Sequence, residues 1–266
     1  MTTIVARKTL RDQRRALAGW TLGMVGLVLM YSAFYPSIKG NASQLNKYLE
    51  SLPKAFKQMI GRAGDITSPA GYMQSEIFSI MAPLLLLILA IGAGARATAG
   101  EEEAGTLDLL LATPIQRGRV VFEKFGAMVA AAVGVGAVLW IALVLSGPLA
   151  GLHVALSNLT AATVSAVLLG IAFGSIALLI GCWRGHKGLS IAVTVSLAVV
   201  TYLLDILAPL VERVKALQLL SPFYYYIGHN PLRDGFSVDH AFVLVAIAAV
   251  ALVLALVAFD RRDLAA

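Results

Sequence analysis

Six uninterrupted apolar stretches constrain this chain more than any other feature. They cover 16–38, 77–95, 125–146, 159–183, 189–210 and 241–259, each 19 to 25 residues long. A bilayer core about 30 Å thick needs roughly 20 helical residues. None of the six holds a lysine or arginine, and Asp205 is their one acidic residue. The two-residue alternation of a membrane barrel is absent. Composition agrees, with 59% hydrophobic and 14% charged residues, against roughly 45–50% and about 25% in soluble domains. The expected fold is all-α: a single transmembrane domain over 1–266 with six membrane helices.

The basic N-terminus leads into an apolar run too long for a signal-peptide core, without a clear small-residue cleavage site. Cys182 is the sole cysteine, so an intrachain disulfide and a cysteine-based metal site are both excluded. Orientation follows from the basic residues between the spans. If the N-terminus is inside, segments 1–15, 96–124, 184–188 and 260–266 hold 13 Lys and Arg over 56 positions. The outer segments hold 8 over 80, and the density inside is more than twice that outside. Both termini are therefore expected in the cytoplasm. The net charge of +6 reflects these flanking residues and does not point to nucleic acid.

The inner segment between the second and third spans reads "GEEEAGTLDLLLATPIQRGRVVFEK", from Gly100 to Lys124. Thr106 can cap a short helix with Asp108 in its first turn. Leu107, Leu110 and Leu111 then share one face. Pro114 ends that helix and opens a second, with Thr113 as its cap and Gln116 completing a capping box. The second helix carries Arg117, Arg119 and Lys124 into the third span. The result is a knob with a leucine ridge inside a charged rim. A protein partner suits that pattern, and leucines lying back on the bilayer are the plainer alternative.

This segment resembles the loop between the second and third spans of ABC-2 type transporter permeases, where acidic residues precede G-T-L, L-L, a proline, an arginine and a lysine. "SLPKAFKQMIG" and "SPAGYMQSEIF" resemble that family's first outer segment, "LSPFYYYIGHNPL" the segment before its last span, and "FDRRDL" its C-terminal ending. The resemblance implies a coupling element seated on a separate cytosolic ATPase subunit. It assigns docking to Glu101, Glu102, Glu103, Gly105, Thr106, Leu107, Leu110, Leu111, Thr113, Pro114 and Arg117. It further implies a second permease copy or a related permease, export across a prokaryotic cell membrane, and ATP and Mg on the ATPase rather than on this chain. In keeping with that, no G-x-x-x-x-G-K-[ST] run occurs; "GCWRGHKG" is only a short turn between spans. The chain is thus expected to be a non-enzymatic transport subunit without a cofactor or metal of its own.

Near the N-terminus, Arg7, Arg11, Arg14 and Arg15 share one helical face and Leu10 and Leu17 another. This reads as an interfacial amphipathic helix, or as a basic orientation signal alone. Asp205 lies about 24 Å up the fifth span, close enough to the outer surface for water to reach. It is either part of an outer gate or a plain interfacial carboxylate. Ser175 and His240 suggest an intramembrane protease, but they lie at different depths and cannot form a dyad. Gly19/Gly23 and Gly170/Gly174 permit close helix packing, within the chain or between subunits. The tyrosines of 221–235 suggest an outer interfacial or re-entrant element, and 45–61 a broken amphipathic helix over the outer mouth. Two other functions fit the sequence: a stand-alone secondary transporter, and a membrane sensor or assembly protein that binds an ATPase without transporting.

Overall fold

The computed structural model describes residues 4–41, 44, 67–106 and 116–262. Among these every regular element is helical. Helix α1 (Ile4–Asp12) is short and α2 (Arg14–Gly40) is the first span. The others are α3 (Pro69–Glu103), α4 (Arg117–Ala150), α5 (Leu156–Arg184), α6 (Lys187–Leu210) and, last in the chain, Val238–Asp260. Two short helices, α7 (Pro222–Ile227) and α8 (Pro231–Asp234), precede that final span, which is α9. All six long helices are apolar enough to cross a membrane, as the sequence predicts.

Each span runs past its apolar stretch into polar flanks, because helical hydrogen bonding continues where hydrophobicity stops. Thus "SPAGYMQSEIF" belongs mostly to a helix: Ser68 caps α3 by accepting from Gly71 N at 3.1 Å, and Pro69 takes the first turn. Helix α3 contains two π-helical segments, Met73–Met81 and Arg96–Gly100.

Helix α5 is the most enclosed span and α2 the least. Around α5 stand α3, α4, α6 and α9, while α2 packs on α4. The approach of α3 to α5 requires glycine. A Cβ on Gly94 would sit 2.1 Å from the Gly174 carbonyl oxygen, and one on Gly174 would meet Met128 and Ala90. Gly170/Gly174 therefore serves packing inside the chain. At Gly19 and Gly23 a Cβ would meet nothing.

Two expectations need correction. The helix leading into the third span starts at Arg117, and Gln116 before it is extended (φ −62°, ψ 136°) with no side-chain cap bond. Gln116 therefore stands outside the helix rather than in its first turn, and completes no capping box. Secondly, water does not reach Asp205, which is only 2% exposed. It shares the inward face of α6 with Ser190, Thr194 and Thr201, and the 3-10 segment Glu212–Leu220 and α7 pack beside that helix. Asp205 is not a free carboxylate.

At the end opposite the termini, the tyrosine cluster divides. Tyr226 is buried and donates to the Phe78 carbonyl at 2.6 Å. Tyr224 and Tyr225 instead pack around His240, whose Nδ1 lies 3.0 Å from Nδ1 of His229. Ser175 is fully buried and donates to the Ile171 carbonyl, so each member of the rejected dyad is engaged elsewhere. The segment 45–61 lies outside the described residues.

Candidate functional site: a glutamate fan at the end of α3

The acidic triplet closes α3. Gly105 adopts a left-handed conformation (φ 65°), Thr106 N donates to the Glu101 carbonyl and Gly105 N to the Glu102 carbonyl, both at 2.9 Å. This is the paired-bond stop that glycine permits at a helix C-terminus. The Thr106 hydroxyl also donates to the Glu101 carbonyl at 3.1 Å. Thr106 thereby finishes the helix before it; Leu107, Leu110, Leu111, Thr113 and Pro114 lie outside the described residues.

Successive helical residues point about 100° apart, so the three carboxylates reach three different helices. Glu101 Oε1 pairs with Lys124 Nζ of α4. Glu102 Oε1 pairs with Arg262 Nη2, just beyond α9. Glu103 Oε1 accepts from the Lys187 backbone N–H at the start of α6, at 2.8 Å. That N–H is one of the unpaired donors a helix start leaves open, and a carboxylate there also favours the helix dipole.

Arg262 gathers further strands of this network. Its Nη1 reaches the Cys182 carbonyl of α5 at 3.4 Å, and its own carbonyl accepts from Arg117 Nη1 at 3.1 Å. Thr98 and Cys182 meet at 3.6 Å beneath it. The ends of α3, α4, α5, α6 and α9 are thus tied together through side chains that radiate from one helix end. The second carboxylate oxygens of Glu101 and Glu102 are enclosed without a partner among the described residues.

The N-terminal helix joins the same end of the bundle by a separate contact. Glu123 Oε2 accepts from Val5 N at 2.9 Å and Ala6 N at 3.2 Å, while Oε1 accepts from Arg119 at 3.0 Å. Arg7, Arg11, Arg14 and Arg15 are exposed, Val5 is buried and Leu10 and Leu17 are half-buried. Helix α1 holds only Arg7, Leu10 and Arg11 of the expected amphipathic helix; Arg14, Arg15 and Leu17 belong to the start of the first span, α2. Helix α1 and Arg262 thus meet the same end of the bundle.

Sequence reasoning singled out the triplet and Arg117 for docking and Arg7, Arg11, Arg14 and Arg15 for the membrane surface, and it did not foresee the ties within the chain. It missed Lys124 as a buried partner, and it missed Lys187 and Arg262 altogether. Two signals pointed there: Lys124 sits one residue before an apolar run, and Arg262 falls within the "FDRRDL" ending.

On another flank, an apolar groove of about 300 Å³ separates α3 from α6, with Leu84, Ile88, Val195, Val199 and Tyr202 in its walls. No curated protein is similar enough to this chain to match it. The family model described as ABC-2 family transporter protein matches residues 3–264. With six apolar helices and a match along nearly its whole length, the chain is a multi-pass membrane transport component and belongs to the ABC-2 transporter family.

Proposed function

We propose that this chain is the permease subunit of an ATP-driven exporter, with two copies, or one copy and a related permease, forming the path. Separate cytosolic ATPase subunits bind ATP and Mg and seat the knob that begins at Glu101 and ends at Arg117. Both termini and the knob face the cytosol of a prokaryotic cell, and α1 lies along the inner surface of its membrane.

The observation that carries this reading is the glutamate fan. A knob that only decorated the surface would need no wiring. Here the helix that delivers residues 107–115 is fastened to the ends of α4, α6 and α9 by three consecutive side chains. A push on the knob is passed on to several spans at once. The leucine ridge of Leu107, Leu110 and Leu111 supplies the plug, with Gly105, Thr106, Thr113 and Pro114 setting its turns. The glutamates then anchor the knob's base. The groove between α3 and α6 fits a path walled on its open side by a second copy, since an alternating-access conduit is usually built from two related halves. Asp205, enclosed on α6 toward the far end, is assigned to the outer gate.

The test is a pull-down of the tagged chain from native membranes in mild detergent, beside a Leu110→Glu variant. Stoichiometric recovery of an ATPase with the wild type, and much less with the variant, supports the reading. Transport that persists without any ATPase would overturn it in favour of a secondary transporter. ATPase binding without substrate movement would favour a sensor or assembly protein.

A further inference from the structure

A second groove, of about 420 Å³, lies between α1 and the start of α4. Its walls change character along its length. Arg7 and Leu10 line it from α1, while on α4 Phe122 and Glu123 stand at its upper end and Ala127 and Ala130 continue it down the helix. From Phe122 to Ala130 is about 12 Å along the helix. The apolar run of α4 begins at Phe125, so the groove starts at headgroup level and descends among the acyl chains. Phe122 is 59% exposed beside it.

Among the described residues, no carboxylate pairs with the cation at its mouth. Glu123 is the acidic residue of the groove, and its two oxygens are taken by the Val5 and Ala6 N–H groups and by Arg119. Arg7 is left exposed, without an ion pair or hydrogen bond among the described residues. Lys8, Arg11, Arg14 and Arg15 are exposed on the same stretch. A site with an apolar floor and an uncompensated cation at headgroup depth suits a molecule with an acyl tail and an anionic head.

We infer that this groove holds one anionic phospholipid, its phosphate on Arg7 and an acyl chain along Leu10, Phe122 and Ala130, and that the lipid cements α1 against α4. A basic side chain near an anionic membrane surface gains about 1 kcal/mol, close to a fivefold preference. Free phosphate meets the same cation but gains nothing from the apolar floor, which only an acyl chain can cover. The inference rests on the placement of α1 along the membrane surface given above.

The purified full chain is exchanged into nanodiscs of phosphatidylglycerol and phosphatidylcholine in equal amounts, and retained lipid is counted by native mass spectrometry. The wild type is expected to keep one phosphatidylglycerol per chain, preferred about fivefold. Millimolar inorganic phosphate is expected not to displace it. Arg7→Gln should bring the preference near unity while lipid of either kind still binds. Gly126→Phe should abolish retention of both, since it fills the groove from a position where a Cβ meets nothing within 4 Å, and an unchanged thermal melt checks that the fold is kept. Equal retention of the two lipids by the wild type, an unchanged preference in Arg7→Gln, unchanged retention in Gly126→Phe, or displacement by phosphate would each overturn the site. A spin label at Lys8→Cys reports separately on depth. A label in bulk water overturns the placement of α1, whereas one at the surface of a protein with no lipid preference overturns the lipid site alone.

Discussion

Removing either partner of the Glu101–Lys124 pair should cost unequal amounts, and the inequality has a definite direction. The Lys124 side chain is 5% exposed and that of Glu101 29%. Glu101→Met leaves an ammonium enclosed among the ends of α3 and α4, with little room to turn toward water. Breaking a buried pair from one side costs about 3–5 kcal/mol, and partial exposure of Glu101 puts this case at about 3 kcal/mol. Lys124→Met leaves a carboxylate that can rotate outward, for about 1 kcal/mol. With both changed to methionine, no charge is stranded, and the double variant should lie within about 1 kcal/mol of wild type. The non-additivity is then at least about 3 kcal/mol, at or above the upper end of what contacting residues show. Equilibrium unfolding of the purified chain in mixed micelles, titrated with dodecyl sulfate, measures all four proteins. Additive single effects, to within about 0.5 kcal/mol, would refute the pairing. A larger cost for Lys124→Met than for Glu101→Met would refute the assignment of the buried partner.

Three further outcomes are expected. Gly94→Ala forces a methyl against the Gly174 carbonyl oxygen, 2.1 Å away, and should destabilise by about 3 kcal/mol in the same assay; Gly19→Ala, where nothing is met, should be neutral or stabilising by up to about 1 kcal/mol. Arg262→Ala removes a charged donor from the Cys182 carbonyl, so maleimide labelling of the buried Cys182 should quicken about tenfold, and an unchanged rate would count against Arg262 as the tie. Burial, then the facing His240, holds the His229 imidazole below its ordinary value of 6.5, with the Gly235 backbone and Asp234 pulling the other way. The folded state thus favours neutral His229. The unfolded chain binds more protons as pH falls below 6.5, so this share of stability is whole above 6.5 and drains away toward the lower folded value. His229→Gln should flatten that decline in thermal melts between pH 7.5 and 5.5, and a slope equal to the wild type's would contradict it.

The spans were legible because hydrophobicity over 20 residues is a local property and a bilayer demands it. The wiring between them was not. The glutamates' partners lie 23, 84 and 160 residues away, and a local reading sees only an acidic run beside a turn, which looks like a solvated rim. Gln116 was misplaced for a related reason: the spacing of Thr113, Pro114 and Gln116 satisfies a capping box, but nothing in the spacing says where the helix begins. Asp205 was placed by depth, and depth along a helix says nothing of the face. Its spacing from Ser190, Thr194 and Thr201 does, and those four share the enclosed side. The leucine ridge lies outside the described residues, and its role rests on the resemblance alone.

The π-helical segment Arg96–Gly100 stands immediately before the triplet. A π turn takes in one residue more than an α turn, so everything beyond it is displaced by about one residue's angle, 100°. The addresses of Glu101, Glu102 and Glu103 are therefore written in the turn below them as much as in their own side chains. Were that turn to relax into regular α-helix, each carboxylate would swing toward the bearing its neighbour had held, and all three ties would have to let go together. One turn thus sets three bearings at once, and no carboxylate can be re-aimed there without the other two.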